Sequence, residues 1–133
     1  MEDHQKLHKY EYSTRQFWNN RFTEHKGAFD WYVGWKEMSK IISEHFPAEE
    51  TSNVLMVGCG NSSNTQLELS ESMSKNKYYV HNIDISNVVL ELMHSQTKQD
   101  YTLMDATNMN FKDRSFDFLL DKGTFDALVV NFI

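Results

Sequence analysis

Several features common in other proteins are scarce in this chain of 133 residues. Its one cysteine, Cys59, cannot form an internal disulfide bond, which agrees with a reducing compartment. No stretch approaches the roughly 20 apolar residues of a membrane-spanning helix, and the first residues lack the apolar core of a signal peptide. The formal charge of −6 leaves no broad basic surface for nucleic acid. We therefore expect a cytoplasmic protein that binds neither a membrane nor nucleic acid.

The length fits one globular domain, since domains usually run to about 100–150 residues. The first dozen residues are polar and rich in histidine and lysine, so we predict a flexible arm over 1–12 and a domain over 13–133. His4 and His8 have the spacing of metal ligands on a helix but lack a third ligand, and no metal site is expected. The apolar run over 127–133 has no polar tail, so we expect later strands of the domain to be missing.

Helical spacing dominates the amino-terminal part. Ser13 and Gln16 have the spacing of a capping box at a helix start. Trp18 and Phe22 follow four residues apart, on one face of that helix. A second apolar stripe over 35–46 predicts another helix before the single proline.

Beyond this proline, short apolar runs alternate with polar segments. Four runs are predicted to be strands, and an aspartate closes three of them: 54–57, 78–83, 101–104 and 116–120. Ser86 is placed to cap the helix after the second strand. This alternation predicts an α/β fold of the doubly wound, Rossmann-like type, a mostly parallel sheet with helices on both faces and ligands at the carboxyl ends of the strands.

The turn after the first strand has the character of a nucleotide-binding loop. Gly58 and Gly60 allow a tight turn and a close approach of the backbone to a ligand. The dinucleotide fingerprint needs a third glycine where this chain has Ser63. The loop therefore favours an adenosyl ligand without a pyrophosphate over NAD or FAD, and the carboxylate of such a ligand can meet the backbone donors here.

Two acids close the next strands. Asp84 follows Gly60 by 24 residues, close to the offset of about 20 at which an acid accepts from ribose hydroxyls. Asp105 can accept from the exocyclic amine of adenine, while the backbone of Ala106 meets the ring edge. The alternative for each is a strand-end aspartate that caps the next turn.

Asp121 and Lys122 close the fourth strand, beside the expected reversal of strand order. They either position a reactive group or pair with each other, and spacing alone leaves both open. The aromatic residues Trp18, Phe22 and Trp31 belong either to the core or to a site for a cationic sulfonium ligand.

Together these segments are similar to the class I S-adenosylmethionine-dependent methyltransferases, and more narrowly to the branch of lysine methyltransferases that act on translation elongation factor 1A. The Asp-Lys-Gly-Thr block at 121–124 is the most specific part of the resemblance. The matching segments cover 17–22, 29–31, 55–62, 82–86, 104–105 and 116–128.

The resemblance implies S-adenosylmethionine as the cofactor. It places Trp18, Phe22 and Trp31 in the wall of the cofactor pocket. It also places Gly58 against the methionine part of the cofactor.

For the other end of the cofactor, the resemblance places Asp84 and Ile85 at the ribose. It assigns the adenine to Asp105 and Ala106. It also implies that Lys122 contacts the cofactor from the fourth strand.

We therefore predict a methyltransferase that moves a methyl group from S-adenosylmethionine to a nucleophile, a protein lysine in the first instance. Transfer from a sulfonium depends mainly on positioning the two reactants, and we assign Asp121 the role of orienting the lysine amine. The alternatives are a non-catalytic cofactor-binding or protein-interaction module and an NAD-dependent oxidoreductase.

Overall fold

A computed structural model of the chain describes residues 12–27, 34–46, 52–61 and 78–129. Trp31, Ser63, the predicted arm up to residue 11 and the chain end from residue 130 lie outside these ranges. The elements in the described part are α1 (Arg15–Glu24), α2 (Trp35–His45), β1 (Ser52–Val57), β2 (Tyr78–Asp84), α3 (Asn87–Gln96), β3 (Asp100–Leu103), β4 (Phe118–Asp121) and α4 (Thr124–Val129).

The strands form one parallel sheet in the order β3-β2-β1-β4. β1 therefore lies between β2 and β4, and the strand order reverses at β1. A crevice at the carboxyl ends of the strands is expected at such a reversal, because the connections on its two sides lead away in opposite directions. The predicted Rossmann-like sheet is confirmed.

One face of the sheet carries most of the core. Val54 and Met56 of β1 lie in this cluster, and the buried side chains of α1, α2 and α3 that cover them are Phe22, Met38, Ile42, Val89, Leu90 and Met93. Each fully buried aliphatic or aromatic side chain contributes about 1.5–3 kcal/mol to the free energy of unfolding. This packing holds α1, α2 and α3 on one face of the sheet.

The opposite face buries Leu55, Val57 and Ile83. In the described residues, side chains that follow β3 pack against them: Met104, Ala106, Phe111 and Phe116. β1 is thus covered on both faces, as its unbroken apolar run predicts.

Local signals located most element ends within one or two residues. Ser86 caps α3 as predicted, since its Oγ accepts from the N–H of Val89 at 3.3 Å. The capping box at Ser13 is wrong. The helix begins one residue later, and Thr14 Oγ1 accepts from the N–H of Phe17 at 3.2 Å. Gln16 instead donates to Asn20 at 2.8 Å, along the helix surface.

β3 and β4 begin and end slightly away from their predicted limits. β3 ends at Leu103. β4 begins at Phe118, since Phe116 packs against the residues buried on the opposite face of the sheet. Asp117 meets the start of β1, where its Oδ2 accepts from the N–H of Asn53 at 2.7 Å. None of the helices in the described ranges combines the length and the apolar character that spanning a membrane requires.

Candidate functional site

The loop after β1 turns through two glycines in the left-handed region, Gly58 with φ +63° and Gly60 with φ +59°. A Cβ at position 58 would lie 1.8 Å from Thr124 Oγ1, so a side chain there is excluded on steric grounds as well. Thr124 Oγ1 donates to the carbonyl of Val57 at 3.0 Å. The start of α4 is therefore packed directly on the end of β1.

Asp84, at the end of β2, is a buried carboxylate that holds two loops together. Its Oδ2 accepts from the N–H of Gly60 at 2.9 Å, and its Oδ1 accepts from the N–H of Ser86 at 2.9 Å. Burial raises the pKa of Asp84, and the backbone N–H groups of Ser86, Gly60 and Ile85 oppose that rise. Because each oxygen of an ionised carboxylate has two acceptor sites, Asp84 retains capacity for a ligand's hydroxyl groups.

Asp105 lies two residues after β3 and is held in a turn by Thr107. Its Oδ1 accepts from the N–H of Thr107 at 2.8 Å and from its hydroxyl at 2.7 Å. These bonds, the hydroxyl first, lower the pKa of Asp105, and the positive charge of Arg15 adds to the effect. Asp105 is therefore an ionised acceptor at neutral pH. The N–H of Met104 donates to the carbonyl of Asp84 at 3.0 Å, which links the two acidic positions through the backbone.

Trp18 and Phe22 form a stacked pair on α1, with ring centroids 5.8 Å apart. The indole Nε1 of Trp18 donates to the carbonyl of Tyr12 at 2.6 Å, which fixes the ring to the segment before the helix. The faces of such rings attract a cation by about 0.5–2 kcal/mol, depending on desolvation. Trp31, the third predicted aromatic residue, lies outside the described residues.

These parts surround one cavity at the carboxyl end of the sheet. It is lined by every predicted cofactor-binding residue in the described ranges: Trp18, Phe22, Gly58, Gly60, Asp84, Ile85, Asp105, Ala106 and Lys122. The fold thus brings together side chains that are spread over more than 100 positions in the sequence. The cavity combines an aromatic wall, an open backbone loop and two acidic acceptors.

Asp121 is the predicted site residue that the structure places elsewhere. It does not line the cavity, and its exposed carboxylate accepts from the N–H of Thr124 at 2.9 Å and from that of Phe125 at 3.0 Å. These contacts cap the amino-terminal end of α4.

Sequence reasoning missed several residues of the cavity wall, among them Thr124, Asn61 and Met38. Thr124 stands in the Asp-Lys-Gly-Thr block, but its contact with Gly58 joins positions 66 residues apart and leaves no local signal. Asn61 donates through Nδ2 to the carbonyl of Gly27 at 2.9 Å and holds the segment after α1. Met38 has the pattern of an ordinary core residue. In the described ranges no group of three or more histidine, cysteine, aspartate or glutamate residues is arranged to hold a metal.

Comparison with known proteins identifies the family of this chain. A family model described as a methyltransferase domain matches residues 55–131. The chain is 36% identical over 128 residues to the eEF1A lysine and N-terminal methyltransferase of Bos taurus and 35% identical to that of Homo sapiens, covering 91% of this chain and 17% of each relative. It is 32% identical over 139 residues to the citrate synthase-lysine N-methyltransferase CSKMT, mitochondrial, of Danio rerio, covering 86% of this chain and 54% of that protein.

Proposed function

Since this chain belongs to the family of methyltransferase domains, we propose that it binds S-adenosylmethionine and presents its methyl group to an amine of a protein, a lysine side chain first of all. The observation that carries the proposal is the cavity in which Asp84, Asp105 and the glycine loop converge. The acceptor class rests on the relatives, since those of Bos taurus and Homo sapiens are named eEF1A lysine and N-terminal methyltransferases. A protein of the elongation factor 1A type is therefore the first acceptor to test.

The cavity suits an adenosyl ligand better than a dinucleotide. Asp84 accepts two N–H groups and has acceptor sites left for a vicinal diol such as the ribose 2′- and 3′-hydroxyls. Asp105 and Ala106, at the end of the neighbouring strand, are assigned to the adenine edge. Ser63 stands where the dinucleotide fingerprint has its third glycine, which allows close packing of the following helix.

When bound, S-adenosylmethionine supplies a methyl group already activated by its sulfonium. Catalysis by this chain is then mainly a matter of holding two reactants in line. Trp18 and Phe22 exclude water from the cavity wall and favour a cationic ligand. The left-handed glycine loop lines the cavity, and the lack of side chains at Gly58 and Gly60 lets the backbone come close to a ligand there.

A lysine acceptor must lose its proton before it attacks. Side chains such as Met56 and Leu128 give the cavity an apolar lining, and desolvation in such surroundings lowers the pKa of an amine. Asp121 stays our candidate for orienting that amine, although α4 uses its carboxylate as a cap. The charge of −6 suits a basic acceptor.

The 133-residue chain spans 17% of the length of the eEF1A methyltransferases it matches. The protein acceptor and a cytoplasmic location are therefore what we propose for this chain. Cofactor binding can be measured on the chain itself.

Calorimetric titration with S-adenosylhomocysteine tests the proposal, with NAD as the competing ligand. Asp84→Asn removes the charge while keeping the size, and we expect the affinity to fall by about 10- to 100-fold, the range for hydrogen bonds to a charged group. Asp117→Asn is the matched control, because Asp117 also accepts a backbone N–H, from Asn53, but lies at the opposite end of the sheet. Tighter binding of NAD than of S-adenosylhomocysteine, or equal losses in both variants, would refute the proposed site.

A further inference from the structure

We propose that Asn19 is a positioning residue, whose side-chain amide sets the place of the aromatic wall relative to the ribose-binding carboxylate. The inference rests on the proposed function, because it concerns how the same cavity is held ready for its ligand. Asn19 itself does not line the cavity. It acts through Ser86, which links it to Asp84.

Asn19 bridges two helices that are far apart in the sequence. Its Oδ1 accepts from the hydroxyl of Ser86 at 2.6 Å, and its Nδ2 donates to Oδ1 of Asn87 at 3.1 Å. The Ser86 side chain is fully buried and also accepts from the N–H of Val89 at 3.3 Å. A hydroxyl can donate one hydrogen bond, and the Ser86 hydroxyl donates its hydrogen bond to Asn19 Oδ1.

The same serine contacts the carboxylate of the site. The N–H of Ser86 donates to Oδ1 of Asp84, and the other oxygen of Asp84 accepts from the N–H of Gly60. One hydrogen-bonded series therefore runs from Asn19 through Ser86 and Asp84 to the glycine loop. A shift of α1 changes the environment of each group along it.

Polar contacts add to the apolar packing of α1, which runs through the buried Phe22 and the half-buried Trp18. Of its ten residues, all within the described ranges, Phe22 alone is buried. Trp18 and Phe22 precede and follow Asn19 on this helix, and both rings line the cavity. A second polar contact, from Asn61 to the carbonyl of Gly27, holds the segment that follows the helix. Asn19 therefore fixes the part of α1 that carries the aromatic wall.

The neighbouring residue supplies a matched control. Asn20 is exposed, and among the described residues its side chain accepts from Gln16, one turn earlier on the same helix, at 2.8 Å. Asn20→Ala makes the same chemical change as Asn19→Ala without touching Ser86. Asn19→Asp is the conservative variant, since a carboxylate keeps the acceptor for the Ser86 hydroxyl and the amide of Asn87 can rotate to donate to it.

The experiment uses the 133-residue chain and two readouts. Amide hydrogen exchange by NMR in the free protein reports on the N–H groups of Ser86 and Gly60, and calorimetry reports the affinity for S-adenosylhomocysteine. We expect Asn19→Ala to speed exchange at both amides and to weaken binding by about tenfold, the effect of losing one or two hydrogen bonds. Asn19→Asp should return both values to within about twofold of the wild type, an expectation on the same scale. Asn20→Ala should leave both unchanged.

Wild-type exchange and affinity in Asn19→Ala would overturn the proposal, as would equal effects of Asn20→Ala. A loss in Asn19→Ala that Asn19→Asp does not restore would show a packing role and would also overturn it. If Asn19→Ala fails to fold, Asn19→Ser, too short to bridge Ser86 and Asn87, replaces it with the same expectation. If the wild type binds no S-adenosylhomocysteine, the proposed function fails, and the exchange rates in the free chain alone decide whether Asn19 holds the loop.

Discussion

Thr124 occupies the space that a side chain at position 58 would need. A Cβ on Gly58 would lie 1.8 Å from Thr124 Oγ1, and the same oxygen donates to the carbonyl of Val57. Gly58 is thus required for the packing of α4 on β1 as well as for the turn. The contact joins the start of α4 to the end of β1, and both Gly58 and Thr124 line the cavity.

The glycines of the chain should therefore differ in their tolerance of alanine. Gly27→Ala has no atom within 4 Å of the new Cβ and should change the free energy of unfolding by less than about 0.5 kcal/mol. Gly60→Ala has room, with Phe22 Cζ 3.9 Å away, but takes the left-handed penalty of about 1–2 kcal/mol. Gly58→Ala adds the clash with Thr124 and should be the most destabilising. Urea unfolding measures the free energy of unfolding of the three variants. If Gly58→Ala is at least as stable as Gly60→Ala, the packing argument is contradicted.

The buried carboxylate of Asp84 predicts a pH dependence of stability. Burial raises the pKa of Asp84, so the folded state binds this proton more tightly than the unfolded chain does. The stability from this group is complete below the ordinary aspartate pKa and declines as pH rises through the raised value. Asp84→Asn should lack that decline. Unfolding midpoints for both proteins over the acidic to neutral range test this, and an identical pH profile in both would contradict it.

Ligand binding should shift the same proton equilibrium in the opposite direction. Ribose hydroxyls donate best to an ionised carboxylate, so S-adenosylhomocysteine should favour loss of the proton from Asp84. Its affinity should fall as pH drops through the raised pKa, with proton release on binding near that pH. Titrations in buffers of different ionisation enthalpy measure the release, and Asp84→Asn should abolish it. Release that persists in this variant would assign the proton to another group.

Two substitutions of Asp121 separate its contact with α4 from its proposed contact with the acceptor amine. Asparagine at position 121 keeps an oxygen that can accept from the first N–H groups of α4, whereas alanine loses these contacts, a loss of about 1 kcal/mol for capping side chains. Asp121→Asn should therefore keep α4 in place and leave the affinity for S-adenosylhomocysteine unchanged. Asp121→Ala should lower both the stability of α4 and the affinity for S-adenosylhomocysteine, because Thr124 and Leu128 of α4 line the cavity. If Asp121 orients the acceptor amine, Asp121→Asn lowers the rate of methyl transfer to the acceptor while cofactor affinity stays constant. Unchanged turnover would limit Asp121 to its capping role.

The aromatic wall should distinguish a charged from a neutral ligand. S-adenosylmethionine carries a sulfonium and S-adenosylhomocysteine a neutral thioether, so the ratio of their affinities isolates the attraction of the ring for the cation. Trp18→Leu should reduce the preference for the sulfonium by about 2- to 30-fold. Trp35→Leu is the control, since Trp35 packs against the core and does not line the cavity. An equal loss of both ligands in Trp18→Leu would assign Trp18 to packing alone.

The sequence was sufficient for the sheet because its signals are local. The apolar run of β1 and the aspartate that ends β2 each follow from the residues on either side of them. Because β1 and β2 are parallel neighbours, Asp84 at the end of β2 lies beside the loop that contains Gly60, and its carboxylate accepts from the N–H of Gly60. The cap at Ser86 follows from a short pattern of the same kind.

What the sequence left undetermined depends on contacts between distant segments. Nothing near Gly58 indicates that Thr124 fills the space beside it, and nothing near Asn19 indicates Ser86, 67 residues away. Asp121 was correctly placed at the end of β4, but the direction of its carboxylate depends on where α4 begins. The choice between Ser13 and Thr14 as a cap is a shift of one residue, which spacing alone does not resolve.

The most direct test of the account is a crystal structure of the chain with S-adenosylhomocysteine bound. We predict the ligand in the cavity between α1 and the carboxyl ends of the strands, with its ribose hydroxyls within hydrogen-bond distance of Asp84 and its adenine beside Ala106. A ligand bound outside this cavity, or inside it with no contact to Asp84, would contradict the account.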